Sequence, residues 1–437
     1  MTLGPVLGII VCLIGVVMVL GARPDARARR AISASLVIAT TVPVTAIKDD
    51  TIVTTALGTM IGICLFALLA PRPGPRSSTM WGAVAFVAFT GWLVLRIVGQ
   101  FSLASTTLQV LMLASVTLVA LLVPSLTRAD LPGLATTFLV LSIAHGVYAV
   151  LEQTSLDAVW QLRGQSTQTI EDRVNVLASW LPGRSQTSFA QPIPFSVFLC
   201  AAFFFLLHAT VELRRPRFAI GAMFALVGLV CSGTRSAFVA LIAGVLAYLV
   251  ANIRWRRLFA LTAAAGVIAI LALLTDLTKI LALDSRFENS LSYIHRTEVL
   301  GSLRTLWAQS DTAVWLGSGA GATDRMFAAG LVRGVPGIRV FDNTYVSLFA
   351  LSGIVALALF AAVALWALRG GALAIAMTTF VVIMGISFDE QTWQISMMVF
   401  ALGALLPRDL GTLTRRRAPA APSTVEPDTA TASLPAR

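Results

Sequence analysis

The sequence predicts an all-α, polytopic membrane protein, and three observations support this fold class. Of its 437 residues, 57% are hydrophobic and only 12% are charged, whereas soluble chains carry about 25% charged residues. Apolar runs of the length that crosses a bilayer as a helix, ~20 residues, recur along the whole chain. The breaks between these runs are short and rich in Arg and Pro. We therefore expect a transmembrane helical bundle of about 12–13 spans.

Apolar segments in chain order define the expected spans. They lie at about 3–21, 32–47, 51–70, 80–98, 107–124, 133–152, 188–209, 218–232, 236–252, 258–275, 342–368, 371–388 and 393–406. Two long polar stretches interrupt them, and a Pro/Ala/Thr-rich segment ends the chain. The expected units are N-terminal helices (1–152), a first extracytoplasmic loop (153–187), a second helical block (188–275), a large helical extracytoplasmic loop (276–341), C-terminal helices (342–406) and a disordered cytoplasmic tail (407–437).

The positions of arginine predict the orientation of these spans. Every second connection contains Arg, whereas the alternate short connections, Lys48–Asp50, Gly99–Ser105 and Asp389–Gln394, are neutral or acidic. Because short cytoplasmic loops carry an excess of Lys and Arg, the N-terminus is expected outside and the C-terminus in the cytoplasm. The net charge of +11 follows from the same rule. It therefore indicates a lipid bilayer, and no nucleic acid, as the partner.

The cysteines indicate neither a metal site nor a disulfide framework. Cys12, Cys64, Cys200 and Cys231 each lie inside an apolar run, without Cys-x-x-Cys or Cys/His spacing. Buried free cysteines of this kind act as small packing residues. We expect no metal and no cofactor.

Arg235 is the first candidate functional residue. Only Cys-Ser-Gly-Thr separates it from the preceding apolar run, so it lies at or within the membrane interface, where an unpaired arginine is costly. Two interpretations remain open: the side chain snorkels to lipid phosphates, or it faces a cavity and binds a phosphate through its planar fork. Ser232 and Thr234 add small hydrogen-bond donors for the same anion.

The large polar loop contains an expected amphipathic helix and a glycine-rich turn. Between Asp284 and Ser310, one apolar stripe is formed by Leu291, Ile294, Val299, Leu303 and Leu306. Arg296 and Arg304 lie off this stripe, and a solvated face is the favoured interpretation for Arg304. We interpret His295 as a surface residue rather than a base. The turn Gly-Ser-Gly-Ala-Gly at 317–321 follows no strand, so it indicates a tight loop at the membrane surface and not a nucleotide site.

Asp342 and Asn343 stand at the start of a long apolar helix. Both residue types cap helices well. An acid at this depth, opposite several arginines, is alternatively an ionised general base for a sugar hydroxyl. The sequence leaves both interpretations open.

Taken together, these motifs resemble the O-antigen ligase and O-antigen polymerase superfamily of membrane glycosyltransferases. The matching elements are SQTSFAQP at 185–192, CSGTRSA at 231–237, RTEVL at 296–300 followed by GSGAG at 317–321, and DNTYVSLFALSGI at 342–354. The resemblance rests on their order and spacing. It implies a GT-C-like fold in the bacterial cytoplasmic membrane.

The resemblance also implies a chemistry. A metal-independent transferase would use a polyprenyl-diphosphate-linked glycan as donor and a glycan or lipid as acceptor, with Arg235 and Arg296 holding the diphosphate. The ligases place an essential histidine where this chain has Asp342, which favours a polymerase or another acceptor, with Asp342 as the base. The further residues expected to bind substrate are Arg184, Gln191, Ser232, Thr234, Arg304, Asn343 and Tyr345.

Two other functions compete with this prediction. A transporter or flippase of a lipid-linked or anionic solute requires essential charges near the bilayer midplane, and such charges are scarce in this sequence. A structural partner in an envelope-assembly complex would tolerate substitution of all these arginines.

Overall fold

The computed structural model describes residues 3–44, 49–70, 77–155, 159, 175, 178, 180–252 and 291–412. Within them, all regular secondary structure is helical and no strand occurs. Seven described helices are long and apolar enough to cross a membrane, and four further apolar helices are shorter. The prediction of a polytopic helical membrane protein is confirmed.

The helices are numbered in chain order. The first nine are α1 (Leu3–Leu20), α2 (Arg27–Thr41), α3 (Asp50–Leu68), α4 (Ser77–Ile97), α5 (Leu103–Leu122), α6 (Leu131–Glu152), α7 (Pro192–Leu213), α8 (Arg217–Ser232) and α9 (Arg235–Asn252). After residue 290 come α10 (Leu291–Gly301), α11 (Leu303–Trp307), α12 (Asp311–Leu316), α13 (Thr323–Ala328), α14 (Thr344–Trp366), α15 (Ala372–Met384), α16 (Gln394–Leu405) and α17 (Arg408–Gly411). Each expected span coincides with one of α1–α9 or α14–α16, except the one at 258–275, which lies outside the described residues. The expected unit boundaries stay a prediction.

Among the helices that differ from the predicted bounds, two do so for identifiable reasons. Helix α2 starts at Arg27 rather than 32, because the side chains of Arg27 and Arg30 donate hydrogen bonds to the carbonyls of Ala22 (3.3 Å) and Met18 (3.2 Å) at the end of α1. These carbonyls have no partner within their own helix. Helix α7 starts at Pro192 rather than 188, since proline suits the first turn of a helix.

The bundle has two distinct faces. The lower face comprises the turns that follow α1, α5, α7 and α14, and it contains ion pairs between Arg29 and Asp130 (3.8 Å) and between Arg128 and Glu212. The upper face comprises the turns that follow α2, α4, α6, α8 and α15, together with α10–α13. Within the described residues, the arginine-containing turns after α1, α5, α7 and α14 therefore lie on the lower face.

Helix α7 is the centre of the packed core. It contacts α6, α8, α9, α15 and α16, and Phe195, Phe198, Phe204 and Phe205 on it are fully buried. The ring of Phe138 on α6 stacks on Phe205 with 4.7 Å between centroids. A core of aromatic rings around one helix fixes the positions at which the surrounding helices end on the upper face.

Helix α14 is interrupted at Gly353. This glycine has φ 73° and ψ −175°, so the carbonyls of the preceding turn lose their partners within the helix. Two of them, Ala350 and Leu351, accept hydrogen bonds from the backbone N–H groups of Ser318 and Gly319, both at 2.9 Å. The loop after α12 thus packs directly on the interruption.

Candidate active site

Three of the predicted residues form one charged cluster on the upper face. Arg296 lies on α10, and its Nε atom is buried with no hydrogen-bond partner among the described residues. Burial lowers the pKa of Arg296 from its ordinary value, the charge of Asp342 raises it and the charge of Arg235 lowers it. The fold therefore brings Arg296 of α10 within electrostatic reach of both Arg235 of α9 and Asp342 at the start of α14.

A tight turn positions Arg235 at the start of α9. Gly233 has φ 64°, and a Cβ atom there would lie 2.9 Å from Oδ1 of Asn175 and 3.1 Å from Cγ of Arg184. Asn175 in turn donates from Nδ2 to the carbonyl of Val230 at 2.8 Å. Only glycine fits this enclosed left-handed position, so the turn fixes the point from which Arg235 projects.

Arg184, Ser232 and Thr234 form a polar network around the same turn. Arg184 donates from Nε to the carbonyl of Ser232 (3.0 Å) and from Nη2 to Oγ1 of Thr234 (3.2 Å). Thr234 donates to the carbonyl of Pro192 (3.4 Å), and Ser232 to that of Leu229 (2.7 Å). These bonds tie the loop before α7 to the junction of α8 and α9. The expected contacts of these residues with substrate stay a prediction.

The loop before α7 is held in an unusual backbone conformation. Gln186 and Thr187 donate their N–H groups to the carboxylate of Glu152, with the Thr187 bond at 2.8 Å. Thr187 and Ala190 adopt left-handed φ angles of 49° and 57°, which are rare outside glycine and often mark functional loops. Gln191 follows, and its Oε1 atom is buried without a hydrogen-bond partner in the part of the chain described. Its predicted role in substrate binding stays open to test.

Asp342 occupies a constrained position immediately before α14. It has φ 45°, and Asn343 next to it caps the helix: Oδ1 accepts the N–H groups of Tyr345 and Val346, both at 3.0 Å. The Asn343 amide also donates to the carbonyl of Ile386 at 2.8 Å. The capping alternative for Asn343 is thus seen in the structure. Asn343, and not Asp342, therefore caps α14. Asp342 lies at the positive end of the helix dipole, where a carboxylate is stabilised.

Tyr345 joins α14 to α15. Its hydroxyl donates a hydrogen bond to the carbonyl of Val382. This contact and the bond from Asn343 fix the start of α14 against the end of α15. Both side chains have structural partners here. Binding of substrate by Asn343 and Tyr345 stays a prediction.

Asp389 is a further site residue that the sequence reasoning missed. It lies between α15 and α16, where Oδ2 accepts a hydrogen bond from Ser347 (2.9 Å) and Oδ1 is buried without a partner among the described residues. Burial, and then the charge of Asp342, raise the pKa of Asp389 to about 7, while hydrogen bonds from Ser347 and Gln391 oppose the shift. The signal in the sequence was a pair of adjacent acids between two apolar runs.

Glu390 extends this acidic group towards the core. The residue is only 2% exposed, and burial, followed by the charge of Asp389, raises the pKa of its carboxyl well above the ordinary value. Its N–H donates to Oγ1 of Thr344 at 2.9 Å, and that hydroxyl donates to the carbonyl of Phe388 at 2.7 Å. Burial of this kind disfavours the charged form of a carboxyl.

His295 has a structural position rather than the expected surface one. It is 1% exposed, Nε2 donates to the carbonyl of Val340 (2.7 Å) and Nδ1 accepts the N–H of Val335 (3.1 Å). The ring stacks on Phe327 at a centroid distance of 6.3 Å. Because the main chain engages both ring nitrogens, the interpretation as a surface residue was wrong. His295 instead holds residues 333–340, the return segment of the loop that leads back to α14.

The buried face of α10 and α11 also differs from the predicted stripe. Ile294 and Leu303 are each 38% exposed, whereas His295, Val299, Ser302 and Leu306 are buried. Polar groups that bond the return segment therefore displace two apolar side chains from the core. Predicted stripe residue Leu291 carries no described side chain.

Clefts occur elsewhere on the molecule. Volumes of about 1260 Å³ and 200 Å³ open on the lower face, and no site residue lines either of them. Arg304 is exposed on the upper face. The candidate site is therefore defined by its charged and buried polar side chains.

Comparison with known families bears directly on this cluster. Residues 220–361 match the family model described as O-antigen ligase, and this range contains Arg235, Arg296 and Asp342 as well as all the motifs noted above except the one at 185–192. No curated protein matches the chain. The resemblance noted in the sequence is thus confirmed over residues 220–361, which are similar to the O-antigen ligase family.

Proposed function

We propose that the protein is a glycosyltransferase that polymerises or ligates a cell-surface polysaccharide from a polyprenyl-diphosphate-linked donor, at the outer face of the bacterial cytoplasmic membrane. One observation carries the proposal. Two arginines and a carboxylate from three separate segments converge on one face of the bundle, inside the O-antigen ligase domain.

The two arginines suit a diphosphate leaving group. When the bond between the anomeric carbon and the diphosphate oxygen breaks, negative charge grows on the diphosphate. Guanidinium groups fixed in a partly desolvated site stabilise such charge strongly. Arg296 still has a buried Nε donor without a partner in the described residues. Arg235 and Arg296 together supply the positive charge with which the proposed reaction proceeds without a metal ion.

The carboxylates suit activation of the acceptor. Asp342 takes the proton from an acceptor hydroxyl, whose oxygen attacks the anomeric carbon as the polyprenyl diphosphate leaves, and the configuration at that carbon inverts. Asp389, with a pKa of about 7, is able to take up or release a proton at neutral pH. It therefore serves as a second proton acceptor beside Asp342.

The location of the cluster fits a lipid-linked donor. The lipid of such a donor stays in the bilayer while its glycan is in water, so the reacting carbon lies at the membrane boundary. The arginine-rich turns lie on the opposite, lower face, and the positive-inside rule assigns that face to the cytoplasm. The N-terminus is then outside and the C-terminus is cytoplasmic.

The test is glycan transfer by the purified full-length protein in lipid vesicles, with a polyprenyl-diphosphate-linked glycan. We expect Arg235→Ala and Arg296→Ala each to reduce the rate at least ~100-fold, as loss of a charge-stabilising donor does. Exposed Arg325 on α13 provides a matched control, since Arg325→Ala removes an equal charge away from the cluster. Activity in EDTA tests metal independence. Normal product yield and length from both cluster variants, in folded protein, would refute the proposal.

Polymerase and ligase activities give different products in cells. Asp342 stands where the resemblance places a ligase histidine, and this favours a polymerase. A deletion strain of a polymerase loses long chains and retains single repeats. Accumulation of complete lipid-linked chains would instead identify a ligase.

A transporter or flippase fits the charges less well. In each described span, every Asp, Glu, Lys or Arg lies in the first or last turns of the helix, whereas solute pathways place charges near the bilayer midplane. Flux of a lipid-linked glycan into vesicles without any glycan product would favour this alternative.

A further inference from the structure

Residues 305–323, which contain α12 and the glycine-rich turn, have an unusual composition for an extramembrane loop. Asp311 is the only charged residue between Arg304 and Asp324. The stretch includes Trp307 and Trp315 and several Ala, Gly, Leu and Val residues. This composition is typical of a segment in contact with hydrocarbon.

The segment also lies deep beside a spanning helix. Gly353 is the ninth residue after the start of α14 at Thr344, which is ~13 Å along a helix axis. A Cβ atom at Gly353 would lie 2.1 Å from the carbonyl oxygen of Trp315, and one at Gly317 would lie 2.3 Å from the backbone of Leu351. The two backbones are therefore in direct contact well below the start of α14.

A second helix confirms this depth. The indole nitrogen of Trp92 donates to the carbonyl of Ser352 at 2.8 Å. Trp92 lies five residues before the end of α4 at Ile97, which is ~8 Å along the axis. The contact thus lies below the upper ends of both α4 and α14.

The hydrogen bonds at this depth meet the requirement for backbone inside a membrane. Irregular backbone within hydrocarbon must find partners in the protein. The interruption of α14 frees the carbonyls of Ala350 and Leu351, and Ser318 and Gly319 donate to them. Arg96 on α4 donates from Nη2 to the carbonyl of Gly317 at 2.9 Å. The turn is therefore satisfied by two spanning helices.

Large apolar side chains of the segment point away from the protein. Trp307 is 62% exposed and Trp315 56% exposed, although the ring of Trp307 stacks on Phe349 of α14 with 5.6 Å between centroids. On α4, Leu95 and Val98, which flank Arg96, are exposed too. The tryptophans thus continue the apolar outer surface of a spanning helix, which faces lipid.

We propose that residues 305–323 form a re-entrant membrane segment, and that Trp307 and Trp315 contact lipid chains of the bilayer leaflet at the upper face. The occupant of this apolar surface is bilayer lipid. The segment enters the leaflet within α11, packs on the interrupted α14 and returns to water at α13, where Asp324 and Arg325 restore charge. The inference does not depend on the proposed enzymatic activity.

Nitroxide labels test this placement in the full-length protein. The four native cysteines, all buried, are replaced by alanine, and single cysteines are introduced by Trp307→Cys and Trp315→Cys. Val239→Cys on the exposed side of α9 is the lipid reference, and Arg325→Cys is the aqueous reference. In phosphatidylcholine–phosphatidylglycerol vesicles, we expect labels at 307 and 315 to collide with oxygen rather than with a nickel chelate, as at 239. Nickel accessibility equal to that at 325 would overturn the proposal.

Tryptophan fluorescence provides a second test that keeps the native cysteines. Lipids brominated in their acyl chains quench tryptophans that touch hydrocarbon. We expect Trp307→Phe and Trp315→Phe to reduce the fraction of fluorescence that is quenched. The control, Trp180→Phe, removes an exposed tryptophan outside the segment, and it should leave the quenched fraction unchanged or increase it. An unchanged quenched fraction in both segment variants would show that they do not contact lipid.

Discussion

At the scale of single residues, the environment of each carboxyl decides its role. Asp342 lies at the N-terminal, positive end of the α14 dipole, and its charge acts on Arg296. Asp389 and Glu390 are buried on the other side of the start of α14, and burial raises the pKa of both. In the proposed mechanism, neighbouring carboxyls in such different environments would divide the acid and base duties.

Asp389 should make the stability of the protein depend on pH. Its pKa is about 7 in the folded state and ~3.9 when unfolded, so the folded state binds more protons between these values. The contribution of Asp389 to the free energy of unfolding is therefore greatest at low pH in this window and is lost as the pH rises towards 7. We expect Asp389→Asn to reduce this loss by roughly 1–3 kcal/mol, seen as a flatter plot of Tm against pH in detergent.

The control for this measurement is Asp324→Asn, because Asp324 is exposed on α13 and pairs with Arg339 at 3.6 Å. The plot for that variant should follow the wild type. Equal slopes for wild type and Asp389→Asn would contradict the assigned environment of Asp389. Glu390 contributes a dependence of the same sign, so the slope should fall without vanishing.

At the scale of secondary-structure elements, the interruption of α14 is the central feature. The sequence predicted a continuous apolar helix here and a surface turn at 317–321. Instead, the turn fills the gap opened at Gly353, with Arg96 and Trp92 of α4 closing the contact. The carbonyls of Ala350 and Leu351 accept hydrogen bonds from the turn, and those of Ser352 and Gly317 accept them from α4.

Gly353→Ala should separate the turn from α14. A Cβ atom at φ 73° is strained and would collide with the backbone of Trp315. We expect a loss of ~3 kcal/mol in the free energy of unfolding, together with faster proteolysis within residues 305–323. Thermal unfolding in detergent and limited proteolysis measure the two effects.

Gly58→Ala is the matched control in a spanning helix, because nothing lies within 4 Å of a Cβ atom there. That variant should keep or slightly raise stability, as alanine is the better helix former by up to ~1 kcal/mol. Identical behaviour of the two variants would mean that the packing of the turn on α14 contributes little.

At the scale of the whole molecule, charge separates the two faces of the bundle. The arginine-rich turns and their ion pairs lie on the lower face, and the cluster of Arg235, Arg296 and Asp342 lies on the upper face. Opposite positions of the basic turns and this cluster are what the proposed enzyme, acting on the outer membrane surface, would require.

The orientation predicts which positions a membrane-impermeant maleimide reaches in intact cells. Ser102, before α5 on the upper face, and Arg215, before α8 on the lower face, are both exposed. We expect Ser102→Cys to be labelled in intact cells and Arg215→Cys only after permeabilisation. The wild-type chain, whose cysteines are buried, measures the background, and the reverse pattern would invert the proposed topology.

The sequence alone predicted the positions of the described apolar helices, and it assigned a side of the membrane to each connection, which stays a prediction. Apolar runs of about 20 residues have one low-energy solution in a bilayer, a helix, and arginine between them reports the cytoplasmic side. It also singled out Arg235 and Asp342, because charged residues beside apolar runs need partners, and the family resemblance added Arg296. These inferences depend on local composition, which is fully visible along the chain.

Only the tertiary structure decided which of these groups meet. The proximity of Arg296 to Asp342 and Arg235, the burial of Asp389 and the packing of the 317–321 turn on Gly353 all join residues that are far apart in sequence. The free energy of a buried charge or an unpaired carbonyl depends on what surrounds it in space. That environment is a property of the packed bundle, so composition and local pattern leave it undetermined.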